Sequence, residues 1–157
     1  MPDLPVENVH DYPRPPALEP VTQSIRIVHR GIVVANSLSA FRVLETHHAP
    51  TYYIPPADIS VPLRPAAGSS LCEWKGRARY FDVVVGDETV ARAAWAYPDP
   101  TPSFAAIADF VAFYAGELEA CFVGDAQVIA QPGTFYGGWV TANLTGVPKG
   151  APGTEHW

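Results

Sequence analysis

Cysteine is scarce in this chain, with only Cys72 and Cys121 among 157 residues and neither in a C-x-x-C pair. Two isolated thiols make no disulfide framework and supply no structural zinc site unaided, and they suit a reducing, cytoplasmic location. Basic residues are also few: ten Lys and Arg face sixteen Asp and Glu, for a net charge of -6. They are scattered among apolar residues, whereas phosphate binding needs a basic stripe that repays counterion release, so nucleic acid is not an expected partner. No apolar run approaches the roughly 20 residues of a membrane span. The start, MPDLPVENVHDYPRPP, lacks the basic segment and apolar run of an export signal. The expectation is a soluble, unexported protein with no membrane partner.

What is present is apolar: 48% of residues are hydrophobic, enough in a chain of this length for one domain with a proper core. Residues 1–22 carry Pro2, Pro5, Pro13, Pro15, Pro16 and Pro20, which deny the segment a continuous set of backbone donors and mark it as an extended arm. It either docks through Tyr12 and Leu18 or stays a mobile leader. Residues 23–157 read as a single β-rich domain. SIRIVH and IVVA flank Arg30 and Gly31 as a tight hairpin, and the same design recurs around Gly86–Asp87 and Gly124–Asp125. FRVLET and TYYI add two short strands bounded by prolines. One segment departs from this pattern. SFAAIADFVAFY, after Pro102, places Phe104, Ile107, Ala108, Val111 and Tyr114 near helical spacing, which predicts one short α-helix near 103–115 that ends by Gly116. From about 131 the chain turns rich in Gly, Pro and aromatics, an extension expected to lie along the body or across a second subunit.

Three blocks gather residues able to do chemistry: FRVLETHHAPTYYIPPADI, LCEWKGRARYF and AAWAYPDP. Glu45 ends a strand pattern in which it shares a face with Val43; buried there it would suit acid or base work, and exposed it would pair with Arg42 or Lys75. Lys75 lies three residues from Cys72, where an ammonium would favour a reactive thiolate. Against this, Leu71 and Trp74 beside Cys72 favour a buried, inert thiol, and no His or carboxylate is visibly paired with it, while Cys121 beside Phe122 reads as a small core residue. Lys75 itself reads as an anion contact or as the partner of a buried Glu45. His47 and His48 point to opposite faces of an extended chain, so at most one joins a site, and His10, His29 and His156 read as surface residues. Tyr52, Tyr53, Trp74, Trp95 and Tyr97 are numerous enough to line a groove, with Tyr53 and Tyr97 at strand ends where pockets open in β folds.

Together LETHHAPTYYIPPADI, CEWKGRARYF, AAWAYPDP and the terminal FYGGWVT and GVPKGAPGT resemble the uncharacterised family known as domain of unknown function 427, from about Arg26 to the C-terminus. The resemblance implies a mainly β fold of curled antiparallel sheets, the β-tent or Mss4-like arrangement. It also implies that Glu45 belongs to a site, since the family motif places a Glu there. Other members of that wider fold group hold zinc through two C-x-x-C pairs, which this chain lacks. The family label hints at nucleotidyl transfer, but Gly68, Ser69 and Ser70 are followed by no Asp-x-Asp to hold two metal ions. The G-x-x-x-x-G-K-[ST] phosphate loop is missing too.

The expected function is therefore binding or processing of a small molecule in an aromatic-lined pocket. Glu45, His48, Tyr53, Lys75, Trp95 and Tyr97 would bind, and Glu45, Cys72 and Lys75 are the candidate catalytic groups, with no metal and no cofactor. A second expectation, of another class, is a non-enzymatic interaction or dimerisation module that uses the arm and the tail. A nucleotidyltransferase-like or metal-dependent enzyme ranks third.

Overall fold

The structure is a computed structural model that describes residues 4–13, 16–72, 75–131 and 137–146. Proline at the start leaves short strands only: β1 (Glu7–Asn8), a 3-10 turn at Val9–Asp11 capped by the Asn8 side chain, and β2 (Ala17–Pro20). β3 (Ile25–His29) and β4 (Ile32–Ser37) meet through Arg30 and Gly31, with φ of 52° and 75°. Two successive left-handed residues give the turn whose twist matches the strands it joins. β5 (Phe41–Leu44) pairs antiparallel with β6 (Thr51–Tyr53). A long meander follows as β7 (Leu63–Cys72), β8 (Gly76–Val85) and β9 (Glu88–Ala96). After β10 (Val111–Phe113) come β11 (Ala120–Val123), β12 (Ala126–Gln127), β13 (Ile129–Ala130), β14 (Trp139–Val140) and β15 (Leu144–Thr145). The hairpins expected at Gly31, Gly86 and Gly124 all form.

The α-helix expected near 103–115 does not form. Pro102–Ile107 make a 3-10 turn, Asp109 enters the left-handed region at φ 64°, and Val111–Phe113 run as β10 against Ala94–Ala96 of β9. The apolar spacing served two structures in succession. Phe104 and Ile107 are buried from the turn, while Val111 and Phe113 face one side of a strand and Ala112 the other. The open edge of β9 offers a full ladder to a β-branched and aromatic triplet, and that outweighs weak helical propensity.

The larger sheet has the order β10-β9-β8-β7, and reciprocal 2.8 Å hydrogen bonds between Ile54 and Val111 extend it into β6-β5-β2. The smaller sheet runs β12-β11-β3-β4. Curled antiparallel sheets with no closed barrel among the described residues make the protein mainly β, as expected. Between the sheets lies the first core: Ile25, Ile27, Val34, Cys121 and Val123 meet Ile54, Val83, Val85, Ala94, Val111 and Phe113, and Trp139 packs among them. Each fully buried side chain of this kind is worth about 1.5–3 kcal/mol. The alternation that sends these residues inward sends Val43, Tyr53, Ala78, Tyr80, Trp95, Tyr97 and Ala112 to the opposite face of the larger sheet, where Phe104 and Ile107 cover part of them.

The arm is tied to its own chain. β1 pairs in parallel with β15, and β2 pairs antiparallel with β5. Val9 and Tyr12 pack with Leu44 in a third small core. Arg42 reaches back to bond both Glu7 oxygens (3.0 and 2.8 Å) and Glu19 (2.6 Å), and the Tyr12 hydroxyl donates to Glu7 at 2.6 Å. No helix among the described residues is long and apolar enough to cross a membrane.

Candidate functional site

The second face of the larger sheet carries a continuous run of rings. Tyr53 on β6 meets Trp95 on β9 edge-on at 6.4 Å between centroids and Tyr97 at 6.2 Å, and Trp95 meets Tyr114 at 4.5 Å. Cross-strand pairing produces the run, since Trp95 lies opposite Tyr80 on β8 and opposite Ala112 on β10. At one end stands Lys75, the residue before β8, only 9% exposed, with Nζ 5.9 Å from the Tyr97 centroid and 6.0 Å from that of Phe104. Contacts of this kind return about 0.5–2 kcal/mol. Gly76, at φ 109°, places Lys75 against the 99–101 segment, where the Thr101 amide donates to the Lys75 carbonyl at 3.0 Å.

At the other end the face opens into a cleft of about 450 Å³ lined by Ser69, Ser70, Tyr80, Ala91, Arg92, Tyr114 and Glu117. Arg92 sits here because β9 bulges. Pairing slips between Phe81 and Val83, and Arg92 takes a left-handed φ of 51° with its amide donating to Asp82. Regular alternation would turn Arg92 inward with Val90 and Ala94; the bulge instead lays its guanidinium over the Tyr80 ring at 4.1 Å. Ser70 and Tyr80 hydroxyls lie 2.8 Å apart, and Tyr80 shares a hydrogen bond with Tyr114. Burial, then the neighbouring Tyr80, push the Tyr114 hydroxyl up to about 12, so it stays a protonated donor at neutral pH.

Glu45 and His48 belong to a separate group in the β5–β6 connection. His48 Nε2 lies 3.9 Å from Glu45 and its Nδ1 3.3 Å from the Gln131 amide, whose oxygen accepts from Ala49 at 3.0 Å. Glu45 and Lys75 were expected as one polar floor or as partners. They form no ion pair, because Glu45 lies beyond the end of β5 whereas Lys75 leads into β8. Gly137 and Gly138 connect the two groups. A Cβ on Gly137 would overlap the Trp95 ring, and one on Gly138 would overlap Gln131 and sit 2.6 Å from the Ala49 carbonyl.

The structure thus brings Tyr53, Trp95, Tyr97 and Lys75 together, and sets Glu45 and His48 beside Gln131. The Cys72 side chain, Trp74 and His156 lie outside the described residues. Cys121 is buried in the first core, and burial pushes its thiol up to about 12. His10 and His29, expected on the surface, are half-buried and partnered: His10 contacts His47, Nδ1 to Nδ1, at 2.5 Å, and His29 bonds Glu88 at 2.8 Å. Among the described residues no three of His, Cys, Asp and Glu converge in a way that could hold a metal ion. Sequence reasoning missed Arg92, Tyr80 and Tyr114. The signal for Arg92 was a cation in step with Val90 and Ala94, where an inward position calls for an apolar residue.

A family model described as a domain of unknown function (DUF427) matches residues 17–124, a span that runs from β2 through β11 and includes the aromatic face and the cleft. No curated protein matches the chain.

Proposed function

We propose that this chain, which belongs to the domain of unknown function 427 family, binds a small organic molecule on the second face of its larger sheet. The observation that carries the reading is continuity: the cleft of about 450 Å³ opens beside Tyr114, and Tyr114 continues through Trp95 and Tyr53 to Tyr97 and Lys75. Small-molecule sites combine this scale of concavity, roughly 300–1,000 Å³, with ring walls and a few polar groups that fix orientation. Here Tyr80 and Tyr114 supply ring walls, with the buried Trp95 packed behind Tyr114, and the Ser70, Tyr80 and Tyr114 hydroxyls and the Arg92 guanidinium supply direction.

Native mass spectrometry of the purified full chain, before and after incubation with a library of small aromatic metabolites, tests the reading. The wild type is expected to carry or acquire an adduct that Trp95→Ala, folded by circular dichroism, does not. A wild type that takes up nothing from the library, or a Trp95→Ala chain that binds as well, overturns the assignment.

A further inference from the structure

Irregularities in the two strands that flank β8 converge on one side chain. β9 bulges where Arg92 takes a φ of 51°, and β7 slips in register between Pro65 and Ser69, with Gly68 at a φ of 90°. From that bulge the Arg92 side chain crosses β8: its guanidinium lies over the Tyr80 ring at 4.1 Å and donates to the Ala67 carbonyl on β7. A Cβ on Gly68 would sit 3.0 Å from Arg92 Nη1, so the residue without a side chain leaves the guanidinium its place. A left-handed backbone at a residue other than glycine costs free energy, and bulges and strain of this kind gather where a side chain must be aimed at a ligand.

The side chain so held lines the cleft of about 450 Å³. A guanidinium presents several N–H donors in a rigid planar fork, and among the described residues Arg92 gives that fork no acceptor besides the Ala67 carbonyl and no carboxylate partner. The Ser70 and Tyr80 hydroxyls, 2.8 Å apart, border the same cleft. Arg77 donates to the lining Ser69 hydroxyl at 3.0 Å, which brings a second guanidinium to the rim. Glu117 is the one acidic side chain in the lining, and it is exposed. In a chain of net charge -6, a fixed cation with hydroxyls beside it is a local reversal of sign.

Resting on the small-molecule reading above, we infer that the ligand carries a single carboxylate, which seats on the Arg92 guanidinium beside the Ser70 hydroxyl, with Glu117 disfavouring a doubly charged phosphate. The planar fork matches a carboxylate with two parallel bonds. Repulsion from Glu117 grows with the charge of the anion, so the more highly charged group gains less from the same cleft.

Titration of the isotope-labelled full chain with benzoate, phenyl phosphate and neutral benzamide, followed by NMR, tests it. The wild type is expected to bind benzoate roughly tenfold more tightly than benzamide, with shifts at Ser70, Tyr80 and the Arg92 side-chain N–H. Arg92→Met should bring benzoate down to the amide's affinity, and Arg92→Lys should keep part of the preference. Where Arg92→Met does not fold, Arg92→Gln replaces it. Glu117→Gln should strengthen phenyl phosphate more than benzoate, and an equal effect on both removes Glu117 from the inference. Equal binding of benzoate and benzamide in the cleft, or a benzoate preference that survives neutral substitution of Arg92, overturns the inference and leaves the small-molecule cleft standing. Phenyl phosphate bound by the wild type as tightly as benzoate overturns the choice of a carboxylate and makes the ligand a phosphate ester. Failure of all three probes to shift any cleft signal removes the cleft as a site and the inference with it.

Discussion

Arg42 does more for this fold than its place in a short strand suggests. Its guanidinium holds Glu7 with two bonds and Glu19 with a third, and all three side chains are at least partly withdrawn from water. Removing the cation leaves two carboxylates facing each other across its place, and Arg42→Ala is expected to cost about 3 kcal/mol in urea unfolding. A pH dependence follows from Glu7. Burial raises its pKa, but the hydrogen bonds from Arg42 and Tyr12 and the charge of Arg42 outweigh burial and hold it below the ordinary 4.5. A carboxylate depressed by folding stabilises the native state above its unfolded pKa and loses that contribution as pH falls through the folded value. Stability should therefore fall below about pH 4.5, and Glu7→Gln, already without the charge, should lose less over the same acid range. Equal acid losses in the two chains would remove Glu7 from the account. Residues such as Arg42 show what a sequence conceals. Its parity with Leu44 was legible, but its partner Glu7 lies 35 positions away in a proline-rich segment with no period to read. Arg92 was hidden differently, because only the bulge tells which face it joins.

Elements with local causes were legible. Each hairpin was announced by a glycine at the turn and β-branched or aromatic strands beside it, and Gly31, Gly86 and Gly124 all adopt positive φ. β10 was not announced, since a three-residue strand carries too few alternations to compete with a helical stripe, and its partner β9 was the deciding fact. The arm posed the same problem, because proline excludes a helix but does not say what an extended chain lies against. In the structure it lies against β5 and β15, so a chain lacking residues 1–13 gives up β1, Val9, Tyr12 and the Glu7–Arg42 bonds together. The truncated chain is expected to unfold at a clearly lower urea concentration, by about 3 kcal/mol or more of lost stability. An unchanged midpoint would mean that the arm rests on the body without contributing to it.

At the scale of the molecule, the larger sheet has two working faces, and they answer differently to the same kind of change. One face closes on the smaller sheet around Trp139, which is 1% exposed, stacks on Tyr52 at 5.1 Å and donates its indole N–H to the Phe113 carbonyl at 2.9 Å. The other holds Trp95, itself buried, between Tyr53 and Tyr114, and Tyr114 lines the cleft. Trp139→Ala empties the centre of the first core and leaves a carbonyl without its donor. It should cost about 3–5 kcal/mol, a large share of a domain's typical stability of about 5–15 kcal/mol. Trp95→Ala removes as many atoms, but water can enter from the cleft and Gly137 can settle into the space, so its cost should be the smaller of the two while ligand uptake is lost. Urea unfolding of both variants, read beside their adduct formation, decides the matter. If Trp95→Ala proves the more destabilising, the second face is structural core rather than a surface kept for a ligand.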